Sequence, residues 1–274
     1  MQSFKAASIK NCNVFQTLRI FQSGKLLQNI MNSPSNKLRA IVTGASSGIG
    51  KATALAFAKS GVSVALVSRS VDKLKTVASE IEALKTQAEA EVYPLDLADV
   101  ERVSSRVAKI CDDFGPVDIL VNNAGMAYTN LLSDTPLKDW QQIIELNVTS
   151  VFQCIQGVLP QMRDRSTGTI INVASIAAAN AFPQWGAYGV SKAAVVALSK
   201  ALAVEERENG IRTVIISPGS VDTPIWDTNT VQAEFDRSAM LTPEDVARSI
   251  LHAALLPRHA VVEEMIVTPS RGAL

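Results

Sequence analysis

The chain has few of the side chains on which metal sites, disulfides and triad hydrolases depend. Its 274 residues include three cysteines, without CxxC spacing, and two histidines near the end: Cys12, Cys111, Cys154, His252 and His259. This set argues against a zinc site and against a Ser-His-Asp triad, so we expect no metal. Scattered cysteines are also typical of a reducing compartment, where disulfides are rare.

An excess of charge of one sign is missing as well. Lysine plus arginine number 26, as do aspartate plus glutamate, so the formal net charge is zero. No overall basic field would draw the protein to nucleic acid or to an acidic membrane. No apolar run reaches the ~18 residues that a membrane span needs. We therefore expect a small-molecule partner, no nucleic acid and no transmembrane segment.

The first 37 residues contain no acidic side chain. They carry a set of basic residues: Lys5, Lys10, Arg19, Lys25 and Lys37. This composition is typical of a transit peptide, and the alternative is that translation begins at Met31. We expect a plastid or mitochondrial matrix location in the first case and a cytoplasmic one in the second. In both cases residues 1–37 form an extension and residues 38–274 form the domain.

From Leu38 onwards, short apolar runs alternate with helical periods. The predicted strands are 39–43, 62–68, 91–94, 119–122, 169–173, 212–217 and 261–267. Most are β-branched and continuous, as in parallel strands that are covered on both faces. Stripes of 3.6-residue period predict helices around residues 74–84 and 100–114, and Thr242-Pro243 predicts a helix start. Seven strands with intervening helices predict a single α/β domain with a doubly wound parallel sheet.

A glycine-rich loop, TGASSGIG, follows the first predicted strand and leads into a helix. Glycines permit a tight turn and a close backbone approach, and a helix N-terminus attracts an anion. The loop therefore predicts a site for the pyrophosphate of a dinucleotide. The candidate residues are Gly44, Ser46, Ser47, Gly48, Ile49 and Gly50.

The second predicted strand ends in Ser68-Arg69-Ser70, where an acidic residue would bind the ribose hydroxyls of NAD. Arg69 can instead pair with a 2′-phosphate and stack on adenine, so we expect NADP(H).

After the third strand, Asp96 is a candidate acceptor for the adenine amino group, with Leu97 as a backbone donor; the alternative for Asp96 is a helix cap. In VNNAG, asparagines 122 and 123 can brace strand ends, and Asn123, Ala124 and Gly125 are candidates beside the cofactor ribose.

Tyr188 and Lys192 are four residues apart in YGVSK, so they share a helix face. A neighbouring cation favours the phenolate and is expected to lower the pKa of the tyrosine. A tuned phenol can give or take a proton at a carbonyl or alcohol oxygen. Together with a dinucleotide site, this pair predicts hydride transfer.

The motifs TGASSGIG, NNAG, Asn147, Ser175, YGVSK and PGSVDTP occur in this order, and the chain thereby resembles the short-chain dehydrogenase/reductase family over residues 38 to about 267. The resemblance implies a Rossmann-type single domain and a nicotinamide cofactor. It implies that Tyr188 protonates the substrate oxygen, that Ser175 orients that oxygen, and that Lys192 holds the nicotinamide ribose. It further implies that Asn147 anchors a water relay to Lys192; a buried asparagine bonded only to backbone is the alternative. Pro218, Gly219, Val221 and Thr223 would cradle the nicotinamide end.

Residues 224–240 correspond to the variable substrate lid of that family. Candidate pocket walls are Met126, Tyr128, Ala177, Trp185, Trp226 and Phe235. The lid has no basic cluster, which disfavours a phosphorylated substrate. The C-terminal segment looks more like the branch acting on small ketones, aldehydes or 3-hydroxy acids than like 3-oxoacyl-thioester (acyl-carrier-protein) reductases, which stay an alternative. A non-catalytic NADP(H)-sensing regulator is the alternative of another class.

The resemblance also implies a homo-oligomer, a tetramer or a dimer, in which two long helices pair across a twofold axis. We expect surplus apolar surface on these helices. The candidate contact residues are Val151, Cys154, Ile155, Val158, Val196, Leu198 and Leu202.

Overall fold

The computed structural model describes residues 37–232 and 236–272. Its strands are β1 Arg39–Thr43, β2 Ser63–Ser68, β3 Ala90–Pro94, β4 Ile119–Asn122, β5 Gly168–Val173, β6 Ile211–Pro218 and β7 Glu264–Val267. Its α-helices are α1 Gly48–Lys59, α2 Val71–Ala83, α3 Val100–Phe114, α4 Leu137–Ile144, α5 Ser150–Asp164, α6 Gly186–Glu205 and α7 Pro243–Ala254. The predicted extension lies outside the described residues, apart from Lys37.

The seven strands form one parallel sheet in the order β3-β2-β1-β4-β5-β6-β7. The chain runs outward from β1 to β3 and then returns to place β4 on the other side of β1. Such a reversal of strand order opens a crevice at the carboxyl ends of the strands, where ligands bind in this class of fold. The predicted single-domain, Rossmann-type doubly wound sheet is thereby confirmed; the seventh strand begins at Glu264 rather than at residue 261.

The sheet separates two apolar layers because side chains alternate between its faces. In β1, Ala40 and Val42 pack with one cluster and Ile41 packs with the other. Helices α1, α2 and α7 cover the first face, and α3, α5 and α6 cover the second. The predicted start of α7 is also confirmed: the Thr242 hydroxyl accepts from the Asp245 backbone N–H, and the Asp245 carboxylate accepts from the Thr242 backbone N–H.

By length and composition, α6 is apolar enough to cross a membrane, a test that core helices of soluble proteins also pass. It packs against the sheet through β6 and β5. One of its faces is buried, and that face carries the polar residues Ser191, Lys192 and Ser199 as well as Val195. We therefore read α6 as a core helix of this fold.

The residues predicted to leave surplus apolar surface on α5 do not do so. Val151, Cys154, Ile155 and Val158 are buried within the chain, where α5 packs against α3. Leu202 of α6 is buried in the same cluster. The prediction of these five as oligomer contacts is wrong, because the core of the protein's own domain covers them.

Candidate active site

A cavity of about 580 Å³ lies at the carboxyl ends of the central strands. Its lining residues come from the predicted glycine loop, from the segments that follow β2 and β3, from α6 and from the loop after β6. Helix α6 carries Tyr188 and Lys192 and is called the catalytic helix below. All the predicted cofactor-binding and catalytic residues line it except Gly50 and Asn147, which lie behind its wall. The lining members are Gly44, Ser46, Ser47, Gly48, Ile49, Arg69, Asp96, Leu97, Asn123, Ala124, Gly125, Ser175, Tyr188, Lys192, Pro218, Gly219, Val221 and Thr223.

The glycine loop requires glycine for steric reasons. Gly44 has a φ of +66°, and a Cβ there would come within 2.8 Å of the Asn123 amide nitrogen. A Cβ on Gly50 would lie 2.3 Å from the Gly44 carbonyl oxygen. The loop ends at Ser47, the N-cap of α1, whose side chain makes no capping hydrogen bond, and the first turn holds no acid. The first N–H groups of α1 therefore remain available to an anion, which fits the pyrophosphate of a dinucleotide.

Basic side chains line the end of the cavity beyond β2. Arg69 is exposed there, and Lys73, one turn further along α2, lines the same end. Ser46 and Ser68 join the glycine loop to this strand tip through hydroxyl groups 3.0 Å apart. Sequence reasoning missed Lys73, although it lies in the first turn of α2, directly after the strand tip that carries Arg69.

Asp96 lines the same end of the cavity but also serves the local backbone. Its Oδ1 accepts a hydrogen bond of 3.0 Å from the Ala98 N–H, just before α3 begins. Asp99 occupies the N-cap position of α3 without a side-chain hydrogen bond. Asp96 is therefore not the helix cap foreseen as its alternative, because Asp99 holds that position and Asp96 closes the turn before it.

Two asparagines tie the central strands together, as the sequence predicts. Asn122 donates to the Asn172 side chain (2.8 Å) between β4 and β5. Asn123 donates to the Thr43 carbonyl (3.0 Å) at the end of β1. The Thr43 hydroxyl, which sequence reasoning missed, accepts from the backbone N–H groups of Asn123 and Ala124. These bonds hold the floor of the crevice rigid beside the glycine loop.

Ser175 and Tyr188 meet at the other end of the cavity. Ser175 follows β5 and its hydroxyl accepts from the Ala177 N–H at 3.1 Å, which starts a short 3₁₀ turn. A hydrogen bond with Ser175 lowers the pKa of Tyr188, but burial has the larger effect and raises that pKa overall. The expected lowering by Lys192 is therefore not found here, because desolvation of the phenolate outweighs its neighbours.

Lys192 is buried in α6, and its ammonium donates to the Val173 carbonyl at 2.9 Å. Its Nζ lies 5.8 Å from the Tyr188 ring centroid. Burial lowers the pKa of Lys192 to about 8, because the interior disfavours the ammonium. The group is therefore close enough to the phenol to act with it and is poised to titrate just above neutrality.

Asn147 lies in a π-helical turn, Glu145–Thr149, between α4 and α5. Its amide accepts from the Met126 N–H (2.8 Å) and donates to the Met126 carbonyl and the Ser191 hydroxyl (2.9 and 3.0 Å). Ser191 in turn donates to the Tyr188 carbonyl. A Cβ on Gly125 would lie 3.1 Å from Asn147 Oδ1 and 3.7 Å from Lys192 Nζ, so the amide and the ammonium are neighbours. Asn147 thus joins the loop after β4 to the catalytic helix.

A segment after β6 covers the catalytic end. Ile225 and Trp226 line the cavity, and the Trp226 indole donates to the Val221 carbonyl at 2.7 Å. Arg237, which sequence reasoning missed, donates to Asp222 (2.6 Å) and to Asp227 (2.7 Å) and so ties the two ends of this lid together.

Four of the predicted pocket walls line the cavity: Met126, Ala177, Trp185 and Trp226. Tyr128 does not, because it is buried against Ile143 and its hydroxyl donates to Asp139 at 3.0 Å. Phe235 lies outside the described residues. Within residues 37–232 and 236–272, no group of three or more histidines, cysteines or acids could hold a metal ion.

Comparison with known proteins agrees with this geometry. The family model for short chain dehydrogenase matches residues 38–234. An uncharacterized oxidoreductase of Staphylococcus haemolyticus is 36% identical over 230 residues, which cover 84% of this chain and 96% of that protein. An alcohol dehydrogenase from the archaeon Thermococcus sibiricus, solved with 5-hydroxy-NADP, is similar at a TM-score of 0.77 and 28% identity, over 86% of this chain and 97% of the other. A metagenomic short-chain oxidoreductase in complex with NADP gives 0.75 and 29%, over 86% and 98%.

Proposed function

The chain belongs to the short-chain dehydrogenase family and is an oxidoreductase, and from that premise we propose that it interconverts a carbonyl and an alcohol with NADP(H), using Tyr188 as the acid and base. The observation that supports this most directly is that Ser175, Tyr188 and Lys192 meet at one end of the same cavity that the glycine loop lines. This arrangement supports proton transfer and dinucleotide binding at one site.

The residues present fit a nicotinamide dinucleotide. The uncapped start of α1 suits its pyrophosphate, and Asn123, Ala124 and Gly125 leave room beside a ribose. We assign NADP rather than NAD because Arg69 and Lys73 line the adenosine end, where two cations suit a 2′-phosphate. Two similar structures were solved with NADP or its 5-hydroxy derivative. When bound, this cofactor supplies or accepts the hydride at the substrate carbon.

The side chains supply the proton that balances the hydride. In reduction, Tyr188 gives its phenolic proton to the carbonyl oxygen, so that the oxygen becomes a hydroxyl and the phenol becomes a phenolate. The Ser175 hydroxyl, which lines the cavity beside Tyr188, can donate its proton to the same oxygen and stabilise its negative charge. The Lys192 ammonium stabilises the phenolate that is left. Asn147 positions Tyr188 through Ser191 and lies beside Lys192; we propose that it also anchors a water relay there.

The test is to measure NADPH oxidation with a panel of ketones and aldehydes, NADP⁺ reduction with the matching alcohols, and NADPH binding by fluorescence. Turnover that disappears in Tyr188→Phe supports the proposal. Tight NADPH binding without turnover of any carbonyl would support the regulator alternative. Preference for a 3-oxoacyl thioester over all free ketones and aldehydes would favour the thioester reductase alternative instead.

We further propose that residues 38–274 form the catalytic domain, that the protein is cytoplasmic, and that it assembles as a homodimer or homotetramer. Relatives from Staphylococcus support the cytoplasmic proposal, with an organelle as the alternative. Phe152 of α5 and Val190 of α6 are exposed apolar side chains and replace the five buried candidates, while Val196 and Leu198 stay candidates. Light scattering of the chain begun at Met31, with assay of its activity, tests the assembly and the catalytic domain; a monomer would contradict the first and an inactive product the second. Sequencing the N-terminus of the mature protein tests the location, because a cleaved precursor would favour an organelle.

A further inference from the structure

Apolar side chains dominate the wall of the cavity around the catalytic tyrosine. The chain has three tryptophans and three tyrosines in total, yet two of the tryptophans and one tyrosine line this end. Phe182, Ile225 and Met126 complete the wall. These large side chains keep part of their surface accessible, although burial would be favourable for them. A concave apolar wall of this kind is suited to an apolar ligand.

The aromatic rings form a continuous row that begins at the catalytic phenol. The Trp185 ring lies 5.4 Å from that of Tyr188, at an interplanar angle of 75°. The Trp226 ring lies 5.7 Å from Trp185, at 66°. Both contacts are edge-to-face, an arrangement that aromatic pairs prefer. A flat group attached to the reacting carbonyl would extend along this row.

Charged side chains are distributed unevenly along the cavity. Arg69, Lys73 and Asp96 line the adenosine end, whereas Lys192 is the one ionisable cation that lines the catalytic end in the described residues. The Lys192 ammonium donates to the Val173 carbonyl. The nearby Arg237 does not line the cavity and is held by two aspartates. A substrate carboxylate would therefore lose its hydration without gaining a dedicated cation, which is costly.

We propose that the substrate is an uncharged carbonyl compound, or the matching alcohol, with a flat aromatic group next to the reacting carbon. Trp185 and Trp226 are the residues that select it. This inference rests on the proposed function and narrows its substrate class. Of the classes that the sequence left open, it favours ketones and aldehydes and disfavours 3-hydroxy acids.

Four α-keto compounds separate the effect of charge from that of the ring. Ethyl benzoylformate and ethyl pyruvate are neutral, whereas benzoylformate and pyruvate carry a carboxylate. Ethyl benzoylformate and benzoylformate bear the aromatic ring, and the two pyruvate compounds do not. With NADPH, we expect kcat/KM to be at least about tenfold higher for each ester than for its acid, and about tenfold higher with the ring than without it. Equal or better use of either acid, or indifference to the ring, would overturn the proposal while leaving the oxidoreductase assignment intact.

Variants assign the ring preference to particular residues. Trp226→Leu should reduce the preference for ethyl benzoylformate over ethyl pyruvate severalfold and leave the preference for esters over acids unchanged. Trp226→Phe should retain most of the ring preference, because it keeps an aromatic face. Trp140→Phe is the matched control, since Trp140 packs with Tyr128 and Ile143 outside the cavity. A ring preference that survives Trp226→Leu and Trp185→Leu unchanged would contradict the proposal.

A binding measurement keeps the inference testable without turnover. With saturating NADPH, which cannot accept a hydride from the alcohol, calorimetry should show tighter binding of ethyl mandelate than of mandelate, by about tenfold. If the wider panel of ketones and aldehydes is not reduced either, the proposed function fails, and this comparison still tests by itself whether the site disfavours a carboxylate. Tighter binding of the ester would support the proposal, and equal or tighter binding of mandelate would overturn it.

Discussion

The two ends of the cavity are built in different ways. The adenosine end consists of strand tips and first helical turns, and its side chains, such as Arg69, are exposed and close to their neighbours in sequence. The catalytic end brings together Asn147, Ser175 and Lys192 from separate elements, and it buries the first and last of these. Water screens charges at the adenosine end, whereas it is largely excluded from the buried Asn147 and Lys192 at the catalytic end. The same type of charge therefore has different consequences at the two ends.

This difference appears in the two kinds of cation. Arg69 can offer its charge to a ligand at little cost, because it remains hydrated in the folded protein. Lys192 is held in the interior, where burial moves its pKa down to about 8. Substitutions at the adenosine end should therefore leave the stability of the protein nearly unchanged and alter its ligand preference. Substitutions at the catalytic end should change the reaction rate and its pH dependence.

The largest effect is expected for Tyr188→Phe. Loss of the phenolic proton should lower kcat by about 10²–10⁴-fold, the range for a general acid or base, while the Kd for NADPH changes less than about threefold. Stopped-flow hydride transfer and fluorescence titration measure the two quantities. Tyr93→Phe is the control, since Tyr93 bonds Glu91 on β3 and does not line the cavity. Nearly unchanged kcat in Tyr188→Phe would refute the assignment of the acid.

Arg69→Asp tests the adenosine end. The substitution removes a cation and adds a repulsive charge beside the proposed 2′-phosphate, so the ratio of kcat/KM for NADPH over NADH should fall by about a hundredfold. The melting temperature should stay nearly the same, because Arg69 is exposed. Arg207→Asp is the matched control: Arg207 follows α6 and precedes β6, at the opposite edge of the sheet. A ratio that does not change would show that another group selects the cofactor.

Arg237→Met tests whether the lid is held by its two aspartates. Release of the bonds to Asp222 and Asp227 should raise the KM of the carbonyl substrate by roughly two- to fivefold, as exposed ion pairs are weak, and leave the Kd of NADPH unchanged. Arg248→Met is the control, because Arg248 pairs with Asp245 on the exposed surface of α7. An effect on NADPH binding equal to that on KM would place Arg237 in the cofactor site instead.

Lys192→Met tests the burial of the catalytic cation through stability. The pKa of Lys192 falls from 10.5 to about 8 on folding, so the unfolded chain binds more protons between these values. Burial of the Lys192 ammonium destabilises the folded protein. This penalty is absent above about pH 10.5, grows as the pH falls, and is complete below about pH 8. The Tm of the parent, relative to Lys192→Met, should therefore rise by about 5–10 °C from pH 7 to pH 10. Lys200→Met, on the exposed side of α6, should show no such trend.

Adjacent residues were sufficient to predict a large part of this protein. The strands, the glycine loop, the start of α7 and the tip carrying Arg69 each depend on a short stretch of chain with its own steric or hydrogen-bonding preference. Spacing of four on a helix was enough to associate Tyr188 with Lys192. The order of these motifs along the chain was enough to indicate the family: four of them follow strands of the same sheet, and Asn147 and YGVSK lie in helical segments between those strands.

Other properties depend on what packs against a residue, and only the tertiary structure decided them. The pKa of Tyr188 is raised rather than lowered because burial removes water from the phenolate. Val151 and Val158 are core residues rather than contacts because α3 covers them. The row from Tyr188 through Trp185 to Trp226 joins the catalytic helix to the lid. Desolvation and packing are sums over neighbours that are distant in the chain, so a pattern of adjacent residues cannot specify them.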